Sequence, residues 1–235
     1  MWMKRYAQGL MYSYPPLKEG CLRSRYKRFF ADLETKDGLL TVHNPNTGAM
    51  RSLLKEGNPV LYSESDNPKR KLKHTLELIN ADGEWVVSNT IRVNRIVEAA
   101  LLSGELGSLY TGGELIREYT YHDSKIDFLL SNEAKRTLVE VKSVTYFDKD
   151  TCYFPDAVTT RGRKHLYTLA RAVDEGFKAV MLYVCMVKRE FFSAAGHIDP
   201  AYAEALDEVK KRGVQVLLVH CAYDKVTNSV SVKEL

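Results

Sequence analysis

Residues 124–147 read SKIDFLLSNEAKRTLVEVKSVTYF, two apolar runs joined by the polar, turn-prone segment SNEAK. Runs of this length, rich in Val, Leu, Ile and Phe and separated by a turn signal, are typical of a β-hairpin. Three ionisable residues lie inside them: Asp127 in the first run, and Glu140 and Lys142 in the second. Glu140 and Lys142 are two positions apart, so they share one face of a strand.

The length of the linker predicts how the two strands align. If residues 132–135 form a four-residue hairpin loop, Ser131 pairs with Arg136. Counting back along the ladder then sets Asp127 opposite Glu140. The predicted register therefore brings two carboxylates and one ammonium group together on one sheet face.

Two carboxylates and a lysine in such an arrangement can bind a divalent cation and activate water, the chemistry needed to cut a phosphodiester. We expect Asp127 and Glu140 to bind Mg²⁺ or Mn²⁺, with help from a backbone carbonyl. Lys142 would orient the attacking water or stabilise charge on the phosphate. The alternative is a cross-strand salt bridge on a solvated sheet face. The apolar surroundings favour the metal site, because charges in such a setting are costly without a role.

The composition indicates a globular intracellular protein. Of the 235 residues, 45% are hydrophobic, which is enough for a core. The four cysteines are scattered without a CxxC pair, which predicts free thiols in a reducing compartment. The N-terminal segment MWMKRYAQGLMYSY lacks a signal-peptide pattern, and the longest apolar run, AVMLYVCMV, is far too short for a bilayer. We therefore expect a cytoplasmic protein without a membrane partner.

The positive charge of the chain is concentrated in its first third. Residues 1–84 contain 14 Lys and Arg against 10 Asp and Glu, whereas residues 85–235 contain 20 of each. The net charge of +4 therefore belongs to the first segment. Such an asymmetry suggests a polyanionic partner.

The two segments also differ in their predicted folds. Residues 1–84 contain short β-rich runs, LMYSY first, separated by Pro, Gly and Asn turn signals, which predicts an all-β domain built as an OB-like barrel. Residues 85–235 continue with a helix from the N-cap Asn89 to Gly104, and then alternate strands and helices. The whole chain is thus predicted to be an α/β protein with an N-terminal barrel, followed by a partly parallel sheet flanked by helices.

Other candidate residues surround the predicted site. Glu98, on the helix that precedes the hairpin, could bind the same metal from the side, although a solvated helix carboxylate is the simpler interpretation. Cations at the start of a helix oppose its dipole, so a basic helix start favours a bound phosphate. The sequence has four such basic residues together, at Arg161, Arg163, Lys164 and His165.

A second basic segment, GCLRSRYKRFF, lies in the barrel. In a continuous strand Arg23, Arg25 and Lys27 share a face, with Arg28 and the aromatic residues beside them. Cations interleaved with aromatic rings are typical of a nucleic-acid groove on an OB barrel. An edge strand protected by charge would have the same pattern.

The stretches GCLRSRYKRFFADLE, VHNPNTGAM, SKIDFLL, VEVKSVT and FPDAVTTRGRKHL resemble the signature blocks of the sugar fermentation stimulation protein A family. The resemblance implies an N-terminal OB-like domain and a C-terminal PD-(D/E)xK nuclease-like domain. In that pattern Asp127 is the first acid, Glu140 and Lys142 form the ExK element, and Glu98 matches the helix acid of some members. Ile126 replaces the proline of the pattern. The resemblance also implies sequence-nonspecific DNA binding and a regulatory link to sugar (maltose) metabolism.

Three functions are consistent with these features. The first is a DNA-binding protein that contacts mostly the backbone and carries a nuclease-like metal site. The second is an active Mg²⁺-dependent deoxyribonuclease that uses Asp127, Glu140 and Lys142. The third is a sugar-responsive regulator, although no sugar site is visible. The sequence leaves the preferred DNA form and the oligomeric state open, a homodimer being one option.

Overall fold

The computed structural model describes residues 11–132 and 135–235. Residues 1–10 and residues 133–134, at the tip of the predicted hairpin loop, lie outside the described part. Two structural units follow one another along the chain. The first is a barrel and the second is a mixed α/β sheet.

Six antiparallel strands form the barrel, in the order β4-β3-β2-β5-β6-β7. A parallel pairing between His43 of β4 and Thr75 of β6 closes the sheet into a barrel. Alternation of inward apolar residues and outward polar ones drives this closure, as in β3, where Ala31 and Leu33 are fully buried. The strands are β2 (Leu17–Tyr26), β3 (Phe30–Thr35), β4 (Gly38–His43), β5 (Pro59–Glu64), β6 (His74–Ala81) and β7 (Glu84–Val87). Since β7 pairs with β6, the barrel sheet extends three residues beyond the predicted boundary at residue 84.

The first predicted strand of the barrel belongs elsewhere. Strand β1 (Tyr12–Ser13) pairs with the C-terminal strand β16 (Ser229–Glu234), in the second sheet. The Tyr14 ring packs edge-on against Tyr223, and its amide donates to Asn228 O at 3.0 Å. Local β propensity in LMYSY identified a strand correctly, but the partner of a strand is a long-range property.

The second unit is a seven-stranded mixed sheet, in the order β1-β16-β15-β13-β10-β9-β8. As predicted, it is partly parallel, because β13 runs parallel to both β10 and β15. Strand β13 is buried along almost its whole length, as expected for a central strand covered on both faces. The remaining strands are β8 (Glu114–Tyr121), β9 (Ser124–Asn132), β10 (Lys135–Val144), β13 (Lys178–Cys185) and β15 (Gln215–Asp224).

In the described part of the chain, three helices accompany this sheet: α1 (Thr90–Ser103), α2 (Thr160–Asp174) and α3 (Pro200–Lys211). Helix α1 begins and ends where the sequence predicts, with the Asn89 side chain accepting from Ile91 N and Gly104 in the left-handed conformation at φ 86°. Helix α2 starts after the N-cap Thr159, whose hydroxyl accepts from Gly162 N at 3.0 Å. The helices therefore follow from local capping chemistry.

A small third sheet is absent from the sequence prediction, which treats residues 136–147 as one strand. The chain instead leaves the main sheet after β10, and forms β11 (Tyr146–Asp148) and β12 (Thr151–Phe154), which pair with each other and with β14 (Phe191–Ala194). This sheet lies beside the end of β10 that carries the predicted site.

All four cysteines are free thiols, and only Cys21 is exposed. Within residues 11–132 and 135–235, no helix is long and apolar enough to cross a membrane.

Candidate metal and phosphate site

The predicted hairpin register is confirmed, although the predicted four-residue loop is wrong, because Asn132 and Lys135 pair with each other within the ladder. Arg136 pairs with Ser131, and the regular ladder continues to Val139 opposite Phe128. The next position along this register holds Asp127 and Glu140. Instead of continuing the backbone ladder, the Asp127 carboxylate accepts a hydrogen bond from Val141 N at 2.8 Å. The end of the hairpin therefore brings both carboxylates to one place.

Glu140 and Lys142 form an ion pair, but not on a solvated face. The Lys142 Nζ–Glu140 Oε1 distance is 2.5 Å, and the two side chains are only 14% and 3% exposed. The alternative of an ordinary surface salt bridge is therefore wrong, since the pair lies inside the protein. The desolvation cost of burying an ion pair can exceed the attraction between its two charges, so a buried pair in a cleft favours a functional role.

Glu140 has one satisfied oxygen and one unsatisfied oxygen. Its Oε1 contacts both Lys142 Nζ and His165 Nδ1. Its Oε2 is fully buried and has no hydrogen-bond partner among the described residues. Buried carboxylate oxygens usually have a partner, so this oxygen retains the capacity to accept a hydrogen bond or bind a cation.

Asp127 lies in a more repulsive environment than Glu140. Its Oδ1 accepts from Asn94 Nδ2 at 2.6 Å. Burial, together with the nearby Glu140 charge, raises the pKa of Asp127 to about 6. Burial also acts to raise the pKa of Glu140, but Lys142 and His165 outweigh it and hold that pKa below its usual value. A cation between the two carboxylates would relieve the repulsion that Asp127 experiences.

The predicted helix acid does not reach this site. Glu98 forms an ion pair with Arg117, with a Nη1–Oε2 distance of 3.1 Å. Asn94, one turn earlier on the same face of α1, contacts Asp127 and lines the cleft. The metal-ligand prediction for Glu98 is thus corrected to a hydrogen-bonding role for Asn94, which sequence reasoning missed because an amide is not the expected ligand type.

The four basic residues at the start of α2 lie on different faces of the helix, and only some of them line the cleft. Arg161 and His165 lie one turn apart and both line the cleft, with Arg161 Nε 3.4 Å from His165 Nε2. Lys164 points elsewhere and pairs with Asp123 at 2.8 Å. Arg163 does not line the cleft either. Two of the four predicted residues therefore remain as candidate phosphate ligands here.

The barrel forms one wall of the same cleft. Asn46, Thr47 and Gly48, from the loop after β4, line it alongside Asp156 from the opposite domain. The Asp156 carboxylate accepts from Met50 N at 2.8 Å and so attaches the loop to the second domain. The Asn, Pro and Gly residues of HNPNTG are explained locally by turn formation, and nothing local shows that this turn faces a site in another domain.

The basic barrel segment is organised differently from the prediction. Strand β2 ends at Tyr26, and Lys27 and Arg28 occupy the following turn with positive φ, so Arg23, Arg25 and Lys27 do not share one strand face. Arg23 is paired with Glu34 and Glu56. Arg25 donates to the carbonyl oxygens of Asn46 and Gly48 at 2.8 and 2.9 Å, and thereby supports the cleft wall.

The cleft has a volume of about 360 Å³. It contains the two carboxylates, two fixed cations and several backbone and hydroxyl groups, a mixture suited to a metal-bound phosphate. Among the described residues, no three His, Cys, Asp or Glu side chains are grouped as a metal site. A cation here would therefore need backbone carbonyl or water ligands besides Asp127 and Glu140. With Asp127 and the unsatisfied Glu140 Oε2, the oxygen donors present are of the type that such a cation prefers.

An OB barrel followed by a mixed sheet with an Asp…Glu-x-Lys hairpin defines a two-domain protein with a PD-(D/E)xK nuclease-like second domain. Comparison with known proteins gives the same division. The SfsA N-terminal OB domain matches residues 24–88, and the sugar fermentation stimulation protein RE domain matches residues 91–227. The chain belongs to the sugar fermentation stimulation protein family.

Relatives extend over nearly the whole chain. A sugar fermentation stimulation protein homolog of Syntrophotalea carbinolica is 49% identical over 205 residues, covering 86% of this chain and 88% of that protein. A homolog of Gloeobacter violaceus is 43% identical and covers 94% of each chain. The structure of Pyrococcus furiosus SfsA in complex with Ca²⁺ matches with a TM-score of 0.87 at 21% identity, over 96% of this chain and 97% of that one. This last likeness establishes the shared fold.

Proposed function

We propose that this protein binds DNA, and that a divalent cation held by Asp127 and Glu140 contacts a backbone phosphate. The observation that carries the proposal is the buried Glu140 Oε2, which lacks a partner in a cleft that Asp127 also lines. Hard divalent cations prefer oxygen ligands and retain waters, so Mg²⁺ or Mn²⁺ suits two carboxylates. That the related Pyrococcus furiosus protein was solved with Ca²⁺ supports a divalent cation here.

The other cleft residues have distinct roles in this proposal. Arg161 provides an exposed cation for the phosphate backbone at the start of α2. His165 contacts Glu140 Oε1 and orients that carboxylate. A role in sugar metabolism, to which the relatives' name refers, would follow from DNA binding, without a separate sugar site.

Hydrolysis of the phosphodiester is the second candidate function. It is favoured by Lys142, whose ammonium lies beside the metal-binding carboxylate and faces the same cleft. A bound cation would supply Lewis acidity to the reaction. Lys142 would orient the attacking water or stabilise the negative charge that develops on the phosphate.

Metal binding tests the central claim directly. Isothermal titration with Mg²⁺, Mn²⁺ and Ca²⁺ should show one site in the wild type and none in Glu140→Gln, which keeps the shape but removes the charge. Glu98→Gln is the matched control and should bind normally, because Glu98 is paired with Arg117. Equal binding by wild type and Glu140→Gln would overturn the site.

DNA binding is tested with Arg161→Ala and Arg23→Ala, measured in Ca²⁺ at several salt concentrations. Loss of one phosphate contact should lower the magnitude of the log–log salt slope by about 0.7 for single strands or 0.9 for duplex. We expect this change for Arg161→Ala only, since Arg23 is already paired with two carboxylates. A change for Arg23→Ala alone would place DNA on the barrel instead.

Cleavage is tested on supercoiled, linear and single-stranded DNA with Mg²⁺ or Mn²⁺. An active nuclease should cut with the wild type, and should lose activity in both Glu140→Ala and Lys142→Met. Metal and DNA binding without any cleavage would leave the binding function and exclude hydrolysis of these substrates. Equal cleavage by wild type and Glu140→Ala would indicate a contaminating nuclease.

A further inference from the structure

The hairpin β11–β12 presents two different faces. Tyr146 and Tyr153 are directly opposite each other in its register, and so are Phe147 and Cys152. Phe147 and Cys152 are buried, as one face of a packed hairpin must be. Tyr146 and Tyr153 point to the other face and are only half-buried.

The two tyrosines form an aromatic surface together with His197. The ring centroids of Tyr146 and Tyr153 are 5.1 Å apart, with 32° between the ring planes. The exposed His197 lies edge-on to both, and its Nε2 is 3.3 Å from the Tyr146 hydroxyl. We call these three residues the aromatic platform.

The platform is continuous with the candidate metal site. Tyr153 itself lines the cleft that contains Glu140, Lys142 and Arg161. Charged groups that could bind a phosphate and aromatic rings that could stack on a base are therefore adjacent on the protein surface. Proteins that hold single-stranded nucleic acid combine these two elements, because every base has a π-face that can stack on an aromatic ring.

The dimensions of the cleft indicate which form of nucleic acid can use this surface. Its volume of about 360 Å³ is at the lower end of pockets that hold one small molecule. The barrel loop at Asn46–Gly48 forms one wall, and Arg161 and His165 of α2 are among the groups that line the rest. Bases paired within a duplex cannot lay their faces on a protein surface without being unstacked.

From these observations we propose that the protein selects single-stranded nucleic acid, with one base stacked on the platform of Tyr146, Tyr153 and His197 while an adjacent phosphate enters the cleft. This proposal rests on the proposed function and names its substrate class. Duplex DNA would be bound through phosphate contacts alone.

The test uses the full-length protein in Ca²⁺ and a single-stranded oligonucleotide with one 2-aminopurine, whose fluorescence falls when it stacks on an aromatic ring. Affinities for the single strand and for a duplex of the same sequence are measured side by side. The variants Tyr146→Leu and Tyr153→Leu remove a ring, and Tyr146→Phe keeps it while removing the contact with His197. Tyr167→Leu is the control, because Tyr167 is an exposed tyrosine on α2 that pairs with Glu208 and does not line the cleft.

We expect tighter binding and quenching with the single strand in the wild type. Each leucine variant should lose about tenfold in single-strand affinity, along with the quenching, and keep its duplex affinity. Tyr146→Phe and Tyr167→Leu should behave like the wild type, and thermal unfolding should show that all variants are folded. Leucine variants that bind the single strand normally, or lose both affinities equally, would overturn the platform while leaving DNA binding intact. A wild type that binds neither DNA would overturn the proposed function, and the platform with it.

Discussion

Two carboxylates that lie side by side have opposite electrostatic environments in this protein. Glu140 has two basic neighbours and a lowered pKa, whereas Asp127 is buried beside the negative charge of Glu140. Groups whose surroundings separate their pKa values in this way are characteristic of functional sites. The hairpin register was predictable at this scale, because the centre of the turn-prone linker determines which residues pair. The burial of the pair was not, since it depends on the barrel and on α2.

The raised pKa of Asp127 predicts a pH-dependent stability in the metal-free protein. Its folded pKa of about 6 exceeds the ordinary value of 3.8, so the folded state binds the proton more tightly than the unfolded state. Stability is therefore lost as the pH rises from about 4 to about 6. The shift of roughly two pKa units corresponds to about 3 kcal/mol.

The measurement compares wild type with Asp127→Asn by urea unfolding in the presence of a chelator. The two proteins should differ little near pH 4, and the variant should become the more stable by up to about 3 kcal/mol above pH 6. Added Mg²⁺ at pH 8 should stabilise only the wild type. A stability difference that does not change with pH would contradict this account of Asp127.

At the scale of elements, the position of a residue along a helix decides whether its side chain reaches the site. Asn94 and Glu98 are four residues apart on α1, so they lie on one face, and a sequence pattern cannot distinguish them. The structure brings only Asn94 to Asp127. Charge patterns mislead for a similar reason in β2, where the strand ends before Lys27 and local carboxylates neutralise Arg23. Strand and helix types were predictable locally, but the partner of each side chain was not.

The loop after β4 depends on a glycine at its closest approach to the second domain. A Cβ on Gly48 would lie 2.7 Å from both carboxylate oxygens of Asp156, which accepts from Met50 N. Gly48→Ala should therefore displace the cleft wall and destabilise the protein by about 1–3 kcal/mol, the usual cost of overpacking. DNA affinity in Ca²⁺ should fall at the same time.

Gly107→Ala is the control for this substitution, because a Cβ there meets only ordinary contact with Gly104 O at 3.4 Å. Both variants are compared by thermal unfolding and by DNA titration. If Gly48→Ala matches Gly107→Ala in both measurements, the loop is not held against Asp156 as the structure indicates.

At the scale of the whole molecule, the barrel domain and the α/β domain are joined by direct contacts and line a shared cleft. Strand β1 crosses from the N-terminus to the C-terminal sheet, and the cleft takes residues from both domains. The order of the two domains could be read from composition and turn signals. Their shared cleft could not, since it arises from contacts between residues about 100 positions apart, such as Met50 and Asp156.

Glu77 is the central polar group of this junction. It lies in β6 and is fully buried. Its carboxylate accepts two hydrogen bonds from the guanidinium group of Arg92 in α1, at 2.7 and 3.1 Å. Ser63 and the helix N-cap Asn89 donate to the same carboxylate. One side chain thus connects the barrel to the start of the helix that carries Asn94.

Removal of Glu77 should therefore destabilise both domains together. Glu77→Ala leaves Arg92 without its partner at a half-buried position, and breaking a buried pair costs about 3–5 kcal/mol. Urea unfolding, followed by both fluorescence and circular dichroism, should give one shared transition at a much lower midpoint. Glu64→Ala, which removes an exposed partner of Lys18, should leave the midpoint almost unchanged, because solvent screens such pairs. Two separate transitions, with the α/β domain unaffected by Glu77→Ala, would show instead that the domains fold independently and that the cleft is assembled only by docking.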